Sequence, residues 1–215
     1  MNKVNYQKIL DKIIEEIKDR EEVPSLLLHS CCAPCSSYVL EYLSNYFYIT
    51  IFFYNPNISY KEEYERRIEE QKRLISSLEV KHEIKFMVGN YEPKRFYQVA
   101  KGYERVPEGG ERCFRCYELR LEESARIARD NNFDYFSTTL SISPHKNSAK
   151  LNEIGEKLSQ KYDIPYLYSD FKKKNGYKRS IELSKEHDLY RQDYCGCIYS
   201  KVERVRANKE RQENN

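Results

Sequence analysis

Apolar residues recur three or four positions apart over residues 5–19, which is the spacing of one face of an amphipathic helix. Pro24 interrupts this pattern, and the run from Leu26 to Leu28 that follows is continuous and apolar. Such a run is typical of a strand in a parallel sheet, because that strand is buried on both of its faces. The beginning of the chain therefore predicts a helix followed by a buried strand.

Strand and helix patterns continue to alternate along the chain. Runs of β-branched and aromatic residues predict four further strands, at residues 48–54, 84–88, 135–140 and 165–169. Helical periodicity predicts helices between and beyond them, at residues 36–46, 64–78, 116–131 and 151–162. A chain with this order of elements is expected to form one sheet with helices packed on it.

Two local patterns refine this picture. Ser59 and Glu62 have the spacing of a capping box, which predicts the start of the helix over residues 64–78. Residues 90–112 contain several prolines and glycines, so this stretch is expected to be mainly loop with about one helical turn. The loop would deliver a pair of cysteines, Cys113 and Cys116, to the rest of the fold.

Five alternations of strand and helix predict the α/β fold class, with a parallel five-stranded sheet flanked by helices and right-handed crossovers. A length of 215 residues favours one domain, which we assign to residues 1–200. Residues 201–215 are rich in charge and predict a solvated helical tail that frays towards its end.

Charge and hydropathy limit the classes of partner. The first residues are charged throughout and no run approaches 18 apolar residues, so we expect a cytoplasmic protein with no membrane partner. The balance of 37 basic and 34 acidic residues predicts a mixed surface, on which nucleic acid would need local patches. The candidate patches are the basic runs at 172–174, 178–179 and 94–95, with Arg204 and Arg206 near the end.

The seven cysteines are the most informative residues in the chain. They fall into three tight groups, at 31, 32 and 35, at 113 and 116, and at 195 and 197. In a reducing compartment, clustered thiols indicate metal binding or redox chemistry rather than structural disulfides.

The first cysteine group follows the first predicted strand directly. In an open parallel sheet, ligands bind outside the carboxyl ends of the strands, where a nucleotide-binding protein carries a glycine-rich phosphate loop. The corresponding segment here, His29 to Ser36, reads HSCCAPCS and contains no glycine. We therefore expect a cysteine metal site in place of the phosphate loop.

The spacing of the first two groups permits three kinds of site. The pairs Cys32 with Cys35 and Cys113 with Cys116 have the spacing of a four-cysteine zinc site, and an iron–sulfur cluster would use the same residue types. The sequence CAPC also fits a dithiol at a helix N-terminus. If Cys31 and Cys32 are cluster ligands then Cys35 is free for a second metal, and if Cys35 is a ligand then one of the other two is spare.

The third group is a Cys195-Gly196-Cys197 segment. Two residues of extended chain span about 6.6 Å, which lies near the upper limit of the Cα separations that a disulfide accepts. A disulfide in so small a ring would be strained and easily reduced, as catalytic disulfides are. The alternative is a pair of buried or metal-bound thiols.

Five segments together resemble the QueH type of epoxyqueuosine reductase. They are HSCCAPCS at 29–36, RCFRCYELRLEESA at 112–125, STTLSISPHKN at 137–147, SDFKK at 169–173 and LYRQDYCGCIYS at 189–200. The resemblance implies a fold similar to the adenine-nucleotide α-hydrolase-like (HUP) group. It also implies reductive removal of the epoxide oxygen of epoxyqueuosine at the wobble position of tRNA, the last step of queuosine biosynthesis.

The resemblance further implies particular roles for the cysteines. Cys31, Cys32, Cys113 and Cys116 would hold a [4Fe–4S] cluster, and Cys195 with Cys197 would form a redox-active disulfide. A second iron would be held by cysteine and an aspartate, with Cys35 as the candidate cysteine. The candidate aspartates are Asp170 and Asp193.

The chemistry of this reaction requires two electrons and two protons for each epoxide. An electron donor, not identified by the sequence, must supply the electrons, and His29 and His145 are candidate proton donors near the predicted strand ends. Two other functions use the same cysteines, namely a four-cysteine zinc-stabilised module that binds nucleic acid and a thiol–disulfide oxidoreductase. Metal content distinguishes the three hypotheses.

Overall fold

The computed structural model describes residues 4–19 and 21–213. Helices and parallel strands alternate along these residues, as the sequence predicts. The elements are α1 (Tyr6–Lys18), β1 (Ser25–His29), α2 (Ala33–Leu43), β2 (Tyr48–Phe53), α3 (Lys61–Ser77), β3 (Ile84–Val88), α4 (Pro93–Ala100), α5 (Glu111–Asp130), β4 (Tyr135–Thr138), α6 (Ser148–Tyr162), α7 (Gly176–Glu186) and α8 (Ile198–Glu213).

The sheet of the described chain has four parallel strands in the order β3-β2-β1-β4. Its register pairs His29, the last residue of β1, with Phe52 on one side and Thr138 on the other. The carboxyl ends of these three strands therefore lie side by side, and the segments that leave them meet at one edge of the sheet.

The prediction of a fifth strand at residues 165–169 is wrong. This segment makes only an isolated parallel bridge, between Tyr166 and Phe136 of β4. Side chains hold the rest of it, because Ser169 N donates to Asn152 Oδ1 and Ser137 Oγ donates to the Leu167 carbonyl. These bonds replace the regular ladder that would have made the segment a strand.

The run of leucines in β1 explains how both faces of the sheet are covered. Leu26 and Leu28 lie in the apolar core formed with α1 and α2, whereas Leu27 lies in the opposite core formed with α5 and α6. All three side chains are fully buried. A central strand with helices on both sides needs this continuous apolar sequence, because alternate residues point to opposite faces.

Three helix predictions need correction. The stretch 90–112 is mainly loop, but its helix α4 has eight residues, about two turns instead of one, and α5 begins five residues earlier than expected. The capping box is also wrong, because α3 has Tyr60 as its N-cap without a side-chain bond. Ser59 Oγ instead accepts a hydrogen bond from Ile198 N at 3.0 Å. The sequence pattern also predicts no helix where α7 lies.

The C-terminal helix α8 crosses the boundary that the sequence suggests at residue 200. Ser200 is its one buried residue, and its remaining side chains are partly or fully exposed. The division into a domain of residues 1–200 and a tail of 201–215 stays a prediction, with residues 214–215 outside the described chain. Within the described ranges, no helix is both long and apolar enough to cross a membrane.

Candidate active site

The first cysteine group occupies the turn between β1 and α2. Ser30 N still donates to the Phe52 carbonyl, so the sheet pairing extends one residue past β1. The chain then turns, with Cys32 as the N-cap of α2 and Pro34 in the first helical turn. Proline favours this position because its fixed φ suits a helix start and its missing N–H is not needed there. The turn brings the three cysteine side chains to the same end of the helix.

The sulfur atoms of Cys31, Cys32 and Cys35 all lie within 4.8 Å of one another, and the first two are 3.7 Å apart. A tetrahedral ion with metal–sulfur bonds near 2.3 Å would hold its sulfurs about 3.8 Å apart. The spacing of these thiols therefore fits a metal ion, and among the described residues no other three His, Cys, Asp or Glu side chains lie this close together.

The pKa values of these three thiols are shifted in opposite directions. Hydrogen bonds from Cys32 and Cys35 lower the pKa of Cys31 well below its usual value, and the Arg120 guanidinium lowers it further. The same bonds raise the pKa of Cys32 to about 12 and that of Cys35 well above its usual value. A bound cation would favour the thiolate form of all three cysteines.

The second group lies on the first turns of α5. Gly109 N donates to Cys113 Sγ at 3.3 Å, and burial raises the pKa of Cys113 and that of Cys116, the latter to about 12. Both side chains line an inner cavity of about 10 Å³, which corresponds to the space of about one water molecule. Cys195 and Cys197 line the same cavity. The second and third cysteine groups are therefore neighbours.

An outer cavity of about 550 Å³ adjoins the inner one. Cys31 and Cys35 line it together with Cys195, which borders both cavities. The structure thus brings all three cysteine groups to one region at the carboxyl edge of the sheet. The cluster and disulfide roles of the individual cysteines stay predictions.

Three arginines are buried around the cysteines, and Arg120 is the most unusual of them because it is 0% exposed. Its Nη2 donates to Asn55 Oδ1 at 2.6 Å, and its Nε donates to His29 Nε2 at 3.2 Å. Among the residues described, no carboxylate forms an ion pair with it. Burial opposes its charge, but Cys116 and Cys31 more than offset this effect and raise its pKa.

A buried cation is costly unless an anion accompanies it. The groups near Arg120 that can supply negative charge are the sulfurs of Cys116, Cys31 and Cys195, one from each cysteine group. This arrangement favours cysteines that are deprotonated, as metal ligands are, over neutral structural thiols.

Arg67 fixes the third cysteine group. It pairs with Glu63 at 2.7 Å and donates to the carbonyls of Cys195 at 3.1 Å and Tyr194 at 3.4 Å. Gly196 between the two cysteines has φ +120°, a conformation that side-chain-bearing residues rarely adopt. The Cys-Gly-Cys segment is thus held by a buried guanidinium and depends on its glycine.

The two cysteines of this segment differ in their surroundings, and both are free thiols. Cys197 is buried directly before α8, where Ser200 N and Oγ approach its sulfur at 3.4 Å. Burial raises the pKa of Cys197. Cys195 is partly exposed, and Lys146 Nζ donates to its sulfur at 3.2 Å. The pair therefore has an outer and an inner member.

The surroundings of His29 do not favour its predicted role as an acid. Burial, together with Arg120, lowers its pKa to about 3, so the imidazole is neutral at physiological pH. Its Nε2 lies 3.2 Å from both the Arg120 Nε, a donor, and the Tyr54 carbonyl, an acceptor, and its Nδ1 lies 2.9 Å from Thr138 Oγ1. His145, the other candidate, lines the outer cavity.

The two candidate aspartates lie in different places. Asp193 lines the outer cavity with Cys31 and Cys35. Asp170 is buried outside that lining and forms an ion pair with Lys172 at 2.7 Å. The structure therefore brings Asp193, and not Asp170, to the cavity of the first cysteine group.

Sequence reasoning missed several charged residues of the site: Arg67, Arg112, Arg120, Glu108 and Lys146. Only one of them left a clear signal in the sequence. Arg120 follows Cys116 by four positions, which places both on one face of a helix. Arg112 directly precedes Cys113, but its burial is set by tertiary contacts, and Arg67, Glu108 and Lys146 come from segments that reach the cysteines only in the folded chain.

Comparison with known proteins identifies relatives over nearly the whole chain. The family model described as "Epoxyqueuosine reductase QueH" matches residues 26–203. A Staphylococcus epidermidis protein named epoxyqueuosine reductase QueH is 45% identical over 202 residues, covering 92% of this chain and 85% of the relative. A protein of the same name from Streptococcus pyogenes serotype M1 is 42% identical, covering 92% of this chain and 78% of the relative. Another, from Thermotoga maritima, is 37% identical, covering 84% of this chain and 92% of the relative. The chain belongs to the epoxyqueuosine reductase QueH family.

Proposed function

We propose that this oxidoreductase removes the epoxide oxygen of epoxyqueuosine at the wobble position of tRNA, which gives queuosine in the last step of its biosynthesis. Family membership supports the reaction. The observation that carries the chemistry is the burial of Arg120 between thiols of two cysteine groups, without a carboxylate partner among the described residues. A redox-active metal site with several thiolates accounts for that charge.

The proposed cofactor is a [4Fe–4S] cluster held by Cys31, Cys32, Cys113 and Cys116. The donor set fits, because such clusters are bound by four thiolates and their potential depends on nearby charge and hydrogen bonds. When bound, the cluster would supply electrons one at a time. Buried guanidinium groups beside the thiols would compensate the negative charge of the cluster.

A second iron is part of the proposal. Cys35 and Asp193 are the proposed ligands, because both line the outer cavity. Asp170 is the less suitable candidate, since its carboxylate is already paired with Lys172. The residues around the outer cavity would then orient the nucleoside for reduction.

The proposed role of Cys195 and Cys197 is to store two electrons as a dithiol that becomes a disulfide. Their position supports this role, because both line the inner cavity beside Cys113 and Cys116. The different surroundings of the two thiols suit a pair in which one member faces the substrate side and the other is protected.

The HUP-like fold is also part of the proposal. The strand order β3-β2-β1-β4 and the cysteine turn after β1 support it, because ligands of such sheets bind after the first strand. The predicted phosphate-loop position is occupied here by Cys31, Cys32 and Cys35.

The first test is analysis of protein purified without oxygen. We expect about four or more irons and matching sulfide per chain, and conversion of epoxyqueuosine to queuosine in tRNA when a chemical reductant is added. One tightly held zinc with no turnover would instead support the zinc module. Turnover of a disulfide substrate without stoichiometric metal would support the thiol–disulfide oxidoreductase.

The basic residues that are candidates for contact with tRNA differ in how they are paired. Lys172 and Lys174 of the run at 172–174 are paired with Asp170 and Asp11. Arg204 on α8 is exposed and lines the outer cavity, and its distance to the nearest carboxylate, that of Asp193, is 3.9 Å. A cation without a close partner binds phosphate more readily than one already held in an ion pair. The basic residues of α8 are therefore better candidates for tRNA contact than the run at 172–174.

We therefore expect R204A/R206A to weaken tRNA binding about tenfold at moderate salt, while the iron content stays unchanged. Loss of two phosphate contacts should also reduce the slope of log affinity against log salt by about 2. Fluorescence anisotropy at several salt concentrations measures both effects. K172A/K174A is the matched control, and an equal or larger effect in that variant would favour the 172–174 run instead.

A further inference from the structure

Lys146 lies where the inner and outer cavities meet, and it lines both of them. Its side chain is 7% exposed, which is unusual for a lysine. Its Nζ is 3.2 Å from the sulfur of Cys195 and 2.8 Å from Glu108 Oε1. The ammonium group therefore stands beside the outer thiol of the proposed redox pair, at the inner end of the cavity that would receive the nucleoside.

The site keeps this amine charged. Burial disfavours the ammonium form, but Cys195, Tyr117 and Glu108 outweigh that effect and raise the pKa of Lys146 well above its usual value. Lys146 is thus a charged proton carrier beside the sulfur of Cys195.

The hydrogen bonds of Lys146 leave one donor available. An ammonium group has three N–H donors, and the described residues accept two of them, at Glu108 and Cys195. The third can reach a molecule in the adjoining cavities. A buried cation with a spare donor is suited to an oxygen atom that becomes negatively charged during reaction.

We propose that Lys146 is the catalytic residue that donates a proton to the epoxide oxygen, with Glu108 as the positioning residue that holds it and returns protons to it. This inference rests on the proposed reduction of epoxyqueuosine. Glu108 is suited to its role because its side chain is 31% exposed and lines both cavities, so water can reach it.

Atoms and electrons balance in the proposed step. Two electrons from a one-electron reductant, delivered through the redox centre of the enzyme, break both C–O bonds of the epoxide and form the C=C bond. Lys146 protonates the oxygen when the first C–O bond breaks, and it is then reprotonated by solvent through Glu108. A second proton delivered in the same way releases the oxygen as water.

The test compares K146M with wild type in single-turnover reduction of epoxyqueuosine in tRNA. We expect the rate to fall by about 10² to 10⁴, as for loss of a general acid, while tRNA affinity and iron content change less than about threefold. K150M is the matched control, because Lys150 lies four residues further along, is partly exposed and pairs with Glu153, and this variant should keep the wild-type rate.

Chemical rescue separates proton donation from a structural role. Added ethylamine should raise the single-turnover rate of K146A about tenfold or more. Tetramethylammonium carries the same charge but has no N–H group, so it should not raise this rate. The assignment of Lys146 would be overturned by a K146M rate within about threefold of wild type. It would also be overturned if ethylamine and tetramethylammonium changed the K146A rate equally. If wild type itself does not reduce epoxyqueuosine, the proposed function fails instead.

Discussion

Replacing Cys116 with serine is expected to remove most of the bound iron and to abolish turnover. Cys116 is a proposed cluster ligand, and it also has the largest effect of the three cysteines that offset the buried charge of Arg120, ahead of Cys31 and Cys195. The substitution would therefore remove an iron–sulfur bond and leave the buried guanidinium less well compensated. Iron and sulfide analysis, visible absorption and single-turnover reduction of epoxyqueuosine measure the loss.

The same variant should lose stability, because an uncompensated buried charge costs about 3–5 kcal/mol. The double variant C116S/R120M removes the charge together with the ligand. It should recover thermal stability but not iron, which separates the two consequences. The iron content of C116S is compared with that of C35S, which should keep the iron of the [4Fe–4S] cluster and lose only the second iron. An unchanged iron content in C116S would refute the ligand assignment.

Replacing Cys195 with serine is expected to leave the iron content unchanged but to lower multiple-turnover activity by at least about 10². The physical reason is that serine cannot form the disulfide with Cys197, so the pair can no longer store two electrons. Because the two thiols would act as a unit, C197S should show the same loss, although its surroundings differ. Iron analysis and multiple-turnover assays with the natural or a chemical reductant measure the effect.

The control for this prediction must keep the backbone of the segment. Ser200→Ala removes a hydroxyl that contacts Cys197 but leaves both thiols, and it should retain activity within about tenfold. A C195S protein that turns over like wild type would rule out a redox role for the pair. Loss of iron in C195S would instead indicate that Cys195 is itself a ligand.

The sheet was largely predictable because its strands carry strong local signals. The continuous leucines of β1 indicate a strand that is buried on both faces. The predicted strands at 48–54 and 84–88 match β2 and β3 closely. Residues 165–169 also have a strand-like pattern, yet this segment makes only one bridge to β4, and side-chain bonds from Asn152 and Ser137 contact its backbone at Ser169 and Leu167. Those bonds are tertiary, so no local pattern predicts them.

The candidate site was predictable only in part, and for a related reason. Spacing showed that the cysteines form groups, and the position of the first group after β1 indicated the correct edge of the sheet. The charges that surround them come from α3, α5 and the segment before α6, which meet only after folding. No sequence pattern therefore indicated that Lys146 and Arg67 belong to the site. Arg120 could have been found from its helical spacing to Cys116.

The hydrogen bonds between Ser59 and the segment after Cys195 have a consequence for biosynthesis. Ser59 N donates to the Gly196 carbonyl, and Ser59 Oγ accepts from Ile198 N, so the last cysteines are joined to the beginning of α3. The ribosome makes Cys31 and Ser59 long before Cys195 and Cys197. The wall of the site therefore closes only after the Cys195–Cys197 segment has emerged, and until then the first cysteine group waits without its neighbours.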